Sequence, residues 1–360
     1  MDEIFTRIER NKLDEVYSFH KRYTGDKRTK YVWEWQYGNI NPHPSVLIGV
    51  NVEGNLIATQ GMFAIKLNTA SGVELTGKNE SLLIEESYRG TGLSKRLYDF
   101  ALREYKKEGI TCLWGFSRKA IVPLQRAGFK VYFNVIQRSI LSLDFIEVIS
   151  LANRKKQSSI NKVKNILKSY AGTMISRTIF LFAEIKFPQH KTSNYTLTDT
   201  IINKDDLIEF FARIKELYPN LIHICQDSVY YKWRILDSPL LIISRFLYNE
   251  DLKLMGYYYL TLYENFTEVT DLTFYENLSG KILLNDILRI INQKKIKILN
   301  YNYNSKNELN RYINGFLVKI GFINTKGPNH FVLLNFLHNE DEDFFNIDNW
   351  YINSLWNEGI

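Results

Sequence analysis

An apolar run, Leu82-Leu83-Ile84, is followed after three intervening residues by Tyr88-Arg89-Gly90-Thr91-Gly92-Leu93-Ser94, and an amphipathic helix opens directly behind it. A strand, a glycine turn and a helix in that order build an anion cradle. Glycines at 90 and 92 lack the Cβ atoms that would hold a phosphate off the backbone. The first N–H groups of the new helix face that space with the positive end of the dipole behind them. Leu93, Leu97, Phe100, Ala101 and Tyr105 recur at the spacing of one buried helix face, while Lys95, Arg96, Asp99 and Glu104 fall on the other. The spacing excludes the usual nucleotide loops. There is no G-x-x-x-x-G-K-[ST], and Lys95 stands where the last Gly of G-x-G-x-x-G would be.

The remaining pattern, Arg89-x-x-Gly92-x-Ser94, resembles the acyl-CoA signature of the GNAT superfamily of N-acetyltransferases, Q/R-x-x-G-x-G/A, with Ser at the last small position. The resemblance continues through the apolar run Thr111–Phe116 and Ser117-x-x-Ala120 to Ala127-Gly128-Phe129-Lys130, which is similar to the family's N-x-x-A-x-x-x-Y-x-x-x-G-F. Ala120, Gly128 and Phe129 keep their places, Ser117 replaces the Asn, and Leu124 replaces the Tyr.

The resemblance implies an α/β (α+β) fold, a mixed and mainly antiparallel sheet flanked by helices. It also implies acetyl-CoA or another acyl-CoA as co-substrate and direct acyl transfer to a primary amine of a small-molecule or sugar-like acceptor. Arg89, Gly90, Thr91, Gly92, Leu93 and Ser94 would hold the pyrophosphate. Leu83 and Ile84 would offer backbone groups to the pantetheine amide, and Ser117 would share the contact the family gives to Asn. A carboxylate on the strand before the loop is a base in some members, and Glu80 takes that place. Period-two alternation puts it on the side of Leu82 and Ile84. Trp33, Trp35 and Tyr37 stand where family loops line the acceptor cleft. The family's general acid is commonly the Tyr, and Leu124 has no proton to give.

At 360 residues the chain is long for one such module of about 150, which predicts two domains. An internal repeat agrees. Helix Leu13–Lys21, Tyr31-Val32-Trp33-Glu34-Trp35-Gln36, a turn at Glu53-Gly54-Asn55 and a strand to Lys66 are echoed in the second half. There the order is helix Leu207–Leu217, Tyr230-Tyr231-Lys232-Trp233-Arg234, a turn at Asn249-Glu250-Asp251 and a strand through Tyr257-Tyr258-Tyr259. Gly128-Phe129 and Gly321-Phe322 each close a helical stretch.

The expected division is residues 1–145 for the acyl-CoA domain, 146–195 for a basic interdomain helical segment, 196–336 for a degenerate second copy and 337–360 for an acidic, aromatic tail. The second copy offers only Asn277-Leu278-Ser279-Gly280-Lys281 at its helix start, without the glycine doublet, so acyl-CoA binding is expected of the first copy alone.

Composition of 45% apolar and 14% aromatic residues suits packed cores, not disorder. The six histidines show no metal spacing, and Cys112 and Cys225 lie in apolar runs and read as core thiols. No metal, no nucleophile elbow and no nucleic-acid partner are expected. The start lacks an export signal and no apolar run approaches a membrane span, so a cytoplasmic location is expected. Residues 154–177 carry seven basic side chains and no acid. They read as an interdomain helix, with peripheral contact to an anionic membrane as the alternative. The tail from Phe344, with Trp350, Tyr351 and Trp356, is expected to fold back and partly wall the cleft, with Glu340–Asp343 near its mouth. Two other activities stay open. One is aminoacyl transfer from charged tRNA to a cell-wall precursor, which uses tandem copies but does not need the Arg89–Ser94 loop. The other is a non-catalytic acyl-CoA-binding module, which the loss of the Tyr at Leu124 allows.

Overall fold

Two sheets of the same strand order form the molecule. The computed structural model describes residues 2–25, 28–143, 194–336 and 342–356. The basic segment 154–177 and the acidic residues Glu340 and Asp341 lie outside the described residues. In the first sheet the order is β1 (Ile4–Arg7), β2 (Ser45–Val52), β3 (Asn55–Thr69), β4 (Gly72–Ile84), β5 (Cys112–Ser117), β15 (His330–Asn335) and β6 (Lys130–Tyr132), with β9 (His223–Ile224) added to the end of β3. The second reads β8 (Tyr195–Thr198), β10 (Leu241–Asn249), β11 (Leu254–Leu262), β12 (Thr267–Phe274), β13 (Ile298–Asn304), β7 (Ile136–Ser142) and β14 (Ile323–Lys326). Each contains one parallel pair, β4 with β5 and β12 with β13, in an otherwise antiparallel ladder.

The repeat is therefore real, but the sheets do not divide where the sequence was expected to. β7 belongs by sequence to the first copy and lies in the second sheet between β13 and β14. β15 belongs to the second copy and lies in the first sheet between β5 and β6. The two halves thus lend each other the same strand.

Local signals explain the repeated elements. Glu53 and Gly54 both take positive φ, 51° and 80°, which gives β2 and β3 a two-residue turn whose twist matches the strands. Helix α1 (Leu13–Thr24) ends on Gly25 in the left-handed region, and α2 (Lys30–Tyr37) starts on Thr29, whose hydroxyl accepts from Val32 N–H. After α3 (Leu93–Lys107) and β5, the short α4 (Ile121–Arg126) ends with Phe129 N–H bonded to Leu124 O and Gly128 N–H to Gln125 O. The helix Glu308–Lys319 ends alike, with Phe322 N–H on Leu317 O and Gly321 N–H on Val318 O. Both glycines take positive φ, 94° and 104°, the reason Gly-Phe occurs in each copy.

One cluster of buried side chains runs unbroken from α1, α2 and one face of the first sheet through the whole second sheet, and a second lies on the other face of the first sheet beneath α3 and α4. At the junction the indole N–H of Trp35 donates to Trp233 O at 3.0 Å and that of Trp233 donates to Trp35 O at 3.0 Å, with the rings stacked 5.1 Å apart. Such reciprocity is what a pseudo-twofold between copies produces.

Candidate active site

β4 and β5 are paired only at Gly77–Leu113 and Lys78–Trp114. Beyond that rung β4 stays with β3 and β5 stays with β15, so a wedge opens between them. At its apex Gly115 lies so near β4 that a Cβ would come within 2.8 Å of Asn79 O. Along the far side, Thr59 pairs with Leu83 but Gly61 pairs with Glu80, which leaves one extra residue in β4. That bulge holds Ser81 at φ 59°.

The bulge overturns the alternation expected for Glu80. Leu82 and Ile84 pack against the cluster under α3, whereas Glu80 is paired with Lys78, whose ammonium lies 5.4 Å from the Phe63 ring in the cluster facing α1 and α2. An inserted residue moves every later side chain to the opposite face, so Glu80 stands on the α1–α2 side and not with Leu82 and Ile84.

Of the two residues expected to meet pantetheine, Leu83 sits in the ladder opposite Thr59. Glu85 N–H bonds to Ile57 O, so by alternation Leu83 turns its backbone toward β3 and Ile84 turns its own into the wedge. Arg89 Nε donates to Ile84 O at 2.9 Å and ties the loop to the strand end. Gly90 and Gly92 take φ of 83° and 80°, and Gly92 caps α3. Lys95 and Arg96 N–H turn back to Gly92 O. Arg89, Gly90, Thr91 and Gly92 are exposed, and Ser94 is half-buried. Leu93 is buried beneath the helix, so only its backbone N–H is offered to a ligand. Thr91 Oγ1 donates to Tyr88 O and Arg96 Nη1 to Thr91 O, which tie the loop to its own flanks.

Ser117 Oγ accepts from Ala120 N–H at 3.1 Å, a turn-capping bond that leaves its own proton for a ligand. Leu124 is buried in the cluster under α3 and brings no proton source. Trp33, Trp35 and Tyr37 are all buried. Trp35 is spent on the junction with Trp233 and gives no face to an acceptor, a correction to the expected lining. Trp33 stacks on Tyr37 and carries the Arg28 guanidinium 4.1 Å from its ring. Tyr37 reaches the bulge, its hydroxyl donating to Ser81 Oγ at 3.0 Å where a Cβ on Gly61 would leave no room.

Several residues here carried no motif. Thr59 Oγ1 donates to Ser81 O at 3.0 Å, and since its one proton is then used, His20 Nε2 at 2.8 Å is the donor to Thr59. This chain pins the bulge carbonyl. Lys78, fully buried, ion-pairs with Glu80. A cavity of about 590 Å³ adjoins Tyr37, lined also by Ser45, Leu47, Arg7 and Arg10. Among the described residues no cluster of three metal-ligating side chains occurs.

The second sheet has the same wedge and bulge. β12 and β13 pair only at Thr267–Leu299 and Glu268–Asn300, and Thr270 is the extra residue. There the chain's own tail occupies the gap. Asn304 N–H bonds to Ile352 O, Asn302 N–H to Ser354 Oγ, and Asn353 pairs with Tyr303. Asn353 Nδ2 donates to Asp271 at 2.6 Å and Ser354 Oγ to Glu268 at 2.8 Å. Trp350, Tyr351 and Trp356 are buried, with Trp356 against Trp114 of β5 at 4.7 Å. The tail folds back as expected, but as core and not as an open wall. At the helix start Asn277–Lys294, Ser279 is buried and a Cβ on Gly280 would meet the Phe274 ring at 2.7 Å, so this glycine serves close packing.

Residues 12–129 match the acetyltransferase (GNAT) family. No curated protein matches the chain. Among solved structures, a tandem GNAT protein from the clavulanic acid biosynthesis pathway is 10% identical, with 93% of this chain and 98% of that one covered and a TM-score of 0.57. A probable N-acyltransferase from Enterococcus faecalis V583 is 8% identical over 92% of this chain and 72% of that one, TM-score 0.61. Saccharomyces cerevisiae N-myristoyltransferase with bound myristoyl-CoA is 13% identical over 92% and 80%, TM-score 0.57. The first half of this chain carries a domain of the GNAT superfamily, and the chain as a whole has the tandem GNAT fold.

Proposed function

We propose that the protein is an acyl-CoA-dependent N-acyltransferase that acylates a primary amine on a small-molecule or sugar-like acceptor, with acetyl-CoA as the simplest donor. The observation that carries this reading is the contrast between the two wedges. The first lies between β4 and β5 and ends at a glycine-doublet helix start, whereas the second is filled by residues 351–354 and ends at a buried one.

In this reading the N–H groups from Gly90 to Ser94 hold the pyrophosphate, Ile84 meets the pantetheine amide and Ser117 adds one hydroxyl. Acyl-CoA supplies an activated carbonyl. Glu80 removes a proton from the acceptor ammonium, which frees the nitrogen lone pair to attack that carbonyl. The carbon–nitrogen bond forms, the nitrogen gives up its second proton to solvent, the carbon–sulfur bond breaks, and the departing thiolate takes a proton from solvent, since position 124 has none to give. Trp33, through Tyr37, supports the acceptor side of the bulge. A second reading, a non-catalytic acyl-CoA-binding module, draws on the buried Leu124.

Titration calorimetry with acetyl-CoA, followed by thiol release assayed with spermidine, glucosamine and lysine as amine probes, tests both. Binding with release supports the enzyme, binding without release supports the module, and absence of binding removes the proposal.

A further inference from the structure

We propose that Lys78 is a positioning residue for Glu80, holding its carboxylate in place at the bulge of β4. The inference rests on the base role proposed for Glu80 and extends it to a residue that no motif marks.

Lys78 stands on the last rung before β4 and β5 part, opposite Trp114. Its side chain is 0% exposed, and a buried ammonium is costly unless a partner of opposite charge and good geometry offsets the desolvation. The partner is Glu80, two residues on and therefore on the same face of the strand, with 27% of its side chain exposed. Two aromatic side chains flank Lys78, with the Phe63 ring 5.4 Å from the ammonium and Trp114 across the rung. A Met stem would fill such a space without a charge to solvate. The charge has its counterpart in the Glu80 carboxylate.

The geometry around Glu80 gives the pair its use. Immediately after it the chain bulges, and Ser81 turns its hydroxyl to Tyr37 on the same side. Gln60 Nε2 donates to Glu80 O and so holds its backbone. Lys78 bonds to Oε1, which leaves Oε2 as the oxygen that takes the acceptor's proton. A carboxylate tethered at one oxygen is already in place when the ammonium arrives, so the orienting entropy is not spent again in each turnover. The proton passes from nitrogen to Glu80 Oε2 and then to solvent.

The test is a double-mutant cycle on kcat for acetyl transfer to whichever of spermidine, glucosamine and lysine the wild type acylates. Lys78→Met is expected to lower kcat about tenfold and Glu80→Gln about 100-fold, in the range of general-base loss. If Lys78 acts through Glu80, Lys78→Met in the Glu80→Gln background lowers kcat no further, and KM for acetyl-CoA stays within about twofold in all three variants. A purely structural lysine would multiply the two losses. Lys78→Gln keeps a donor without the charge, is expected to fall between wild type and Lys78→Met, and serves if the Met variant does not fold. Unchanged kcat in Lys78→Met, or multiplied losses, overturns this inference alone. No thiol release by the wild type with any of the three amines overturns it together with the proposed enzyme.

Discussion

At Gly92 the backbone turns through φ 80° to cap α3, and a Cβ placed there would meet Arg96 Nη1 at 3.2 Å. A side chain in that conformation costs about 1–2 kcal/mol before any ligand is considered. Gly92→Asp adds a carboxylate where the pyrophosphate is proposed to sit, so acetyl-CoA affinity is expected to fall by at least about 100-fold, roughly 2.8 kcal/mol. Titration calorimetry reads the loss directly, and unchanged affinity would remove the loop from the site.

Glu268 is the other residue whose setting predicts a measurement. Burial pushes its carboxyl up to about 7, against bonds from Ser354 and Asn302 and the nearby Arg138 charge that pull it down. The folded protein thus binds this proton more tightly than the unfolded chain. The stability owed to Glu268 is fully present below about 4.5, its unfolded value, and is lost as pH rises toward about 7. Glu268→Gln should flatten that part of the Tm profile. A slope that survives the substitution would place the titrating group elsewhere.

Among the elements, the tail is the one whose role the fold changed most. Trp350 lies 5.0 Å from Phe331 of β15 and 5.2 Å from Phe344, and its indole N–H donates to Phe344 O at 2.8 Å. Trp350→Ala should cost about 3–5 kcal/mol, the range for deleting a buried aromatic ring. Deleting residues 344–360 should lower Tm more than that single change does. Retention of the wild-type Tm with loss of turnover would instead restore the open-wall role. The same element explains why the second wedge differs from the first. Its edge on β13 is taken by tail backbone, so calorimetry should find one acetyl-CoA per chain.

For the whole molecule, the exchanged strands are decisive. The first sheet draws β15 from the far end of the chain, and β7 finds its neighbours only in the second sheet. A fragment of residues 1–145 would leave β5 and β6 without the strand between them and β7 with an apolar face in water. It is expected not to fold alone, as judged by amide dispersion in NMR, while co-expression with 190–360 restores a folded complex. A well-dispersed spectrum for the isolated fragment would refute this. With one buried cluster crossing both halves, thermal unfolding of the full chain should be a single transition.

By itself the sequence determined what depends on local geometry: the glycine-doublet helix start, the amphipathic α3, the Gly-Phe helix ends and the order of elements repeated in each half. These follow from φ preferences and periodicities that act within about ten residues. Glu80 was visible as a carboxylate on the strand before the loop, but its face was misread, because alternation holds only while the ladder is regular and the Ser81 bulge depends on how β3 pairs. Trp35 read as an acceptor-cleft residue because nothing near it in sequence names Trp233, nearly two hundred residues on. The lysine beside Glu80, the histidine and threonine behind the bulge, the strand exchange and the tail in the second wedge were decided by tertiary structure alone. Lys78 is two residues from Glu80, and only its burial, set by the packing of the sheet, marks it out; each of the others is a contact between segments whose separation along the chain leaves no periodic or spacing signal.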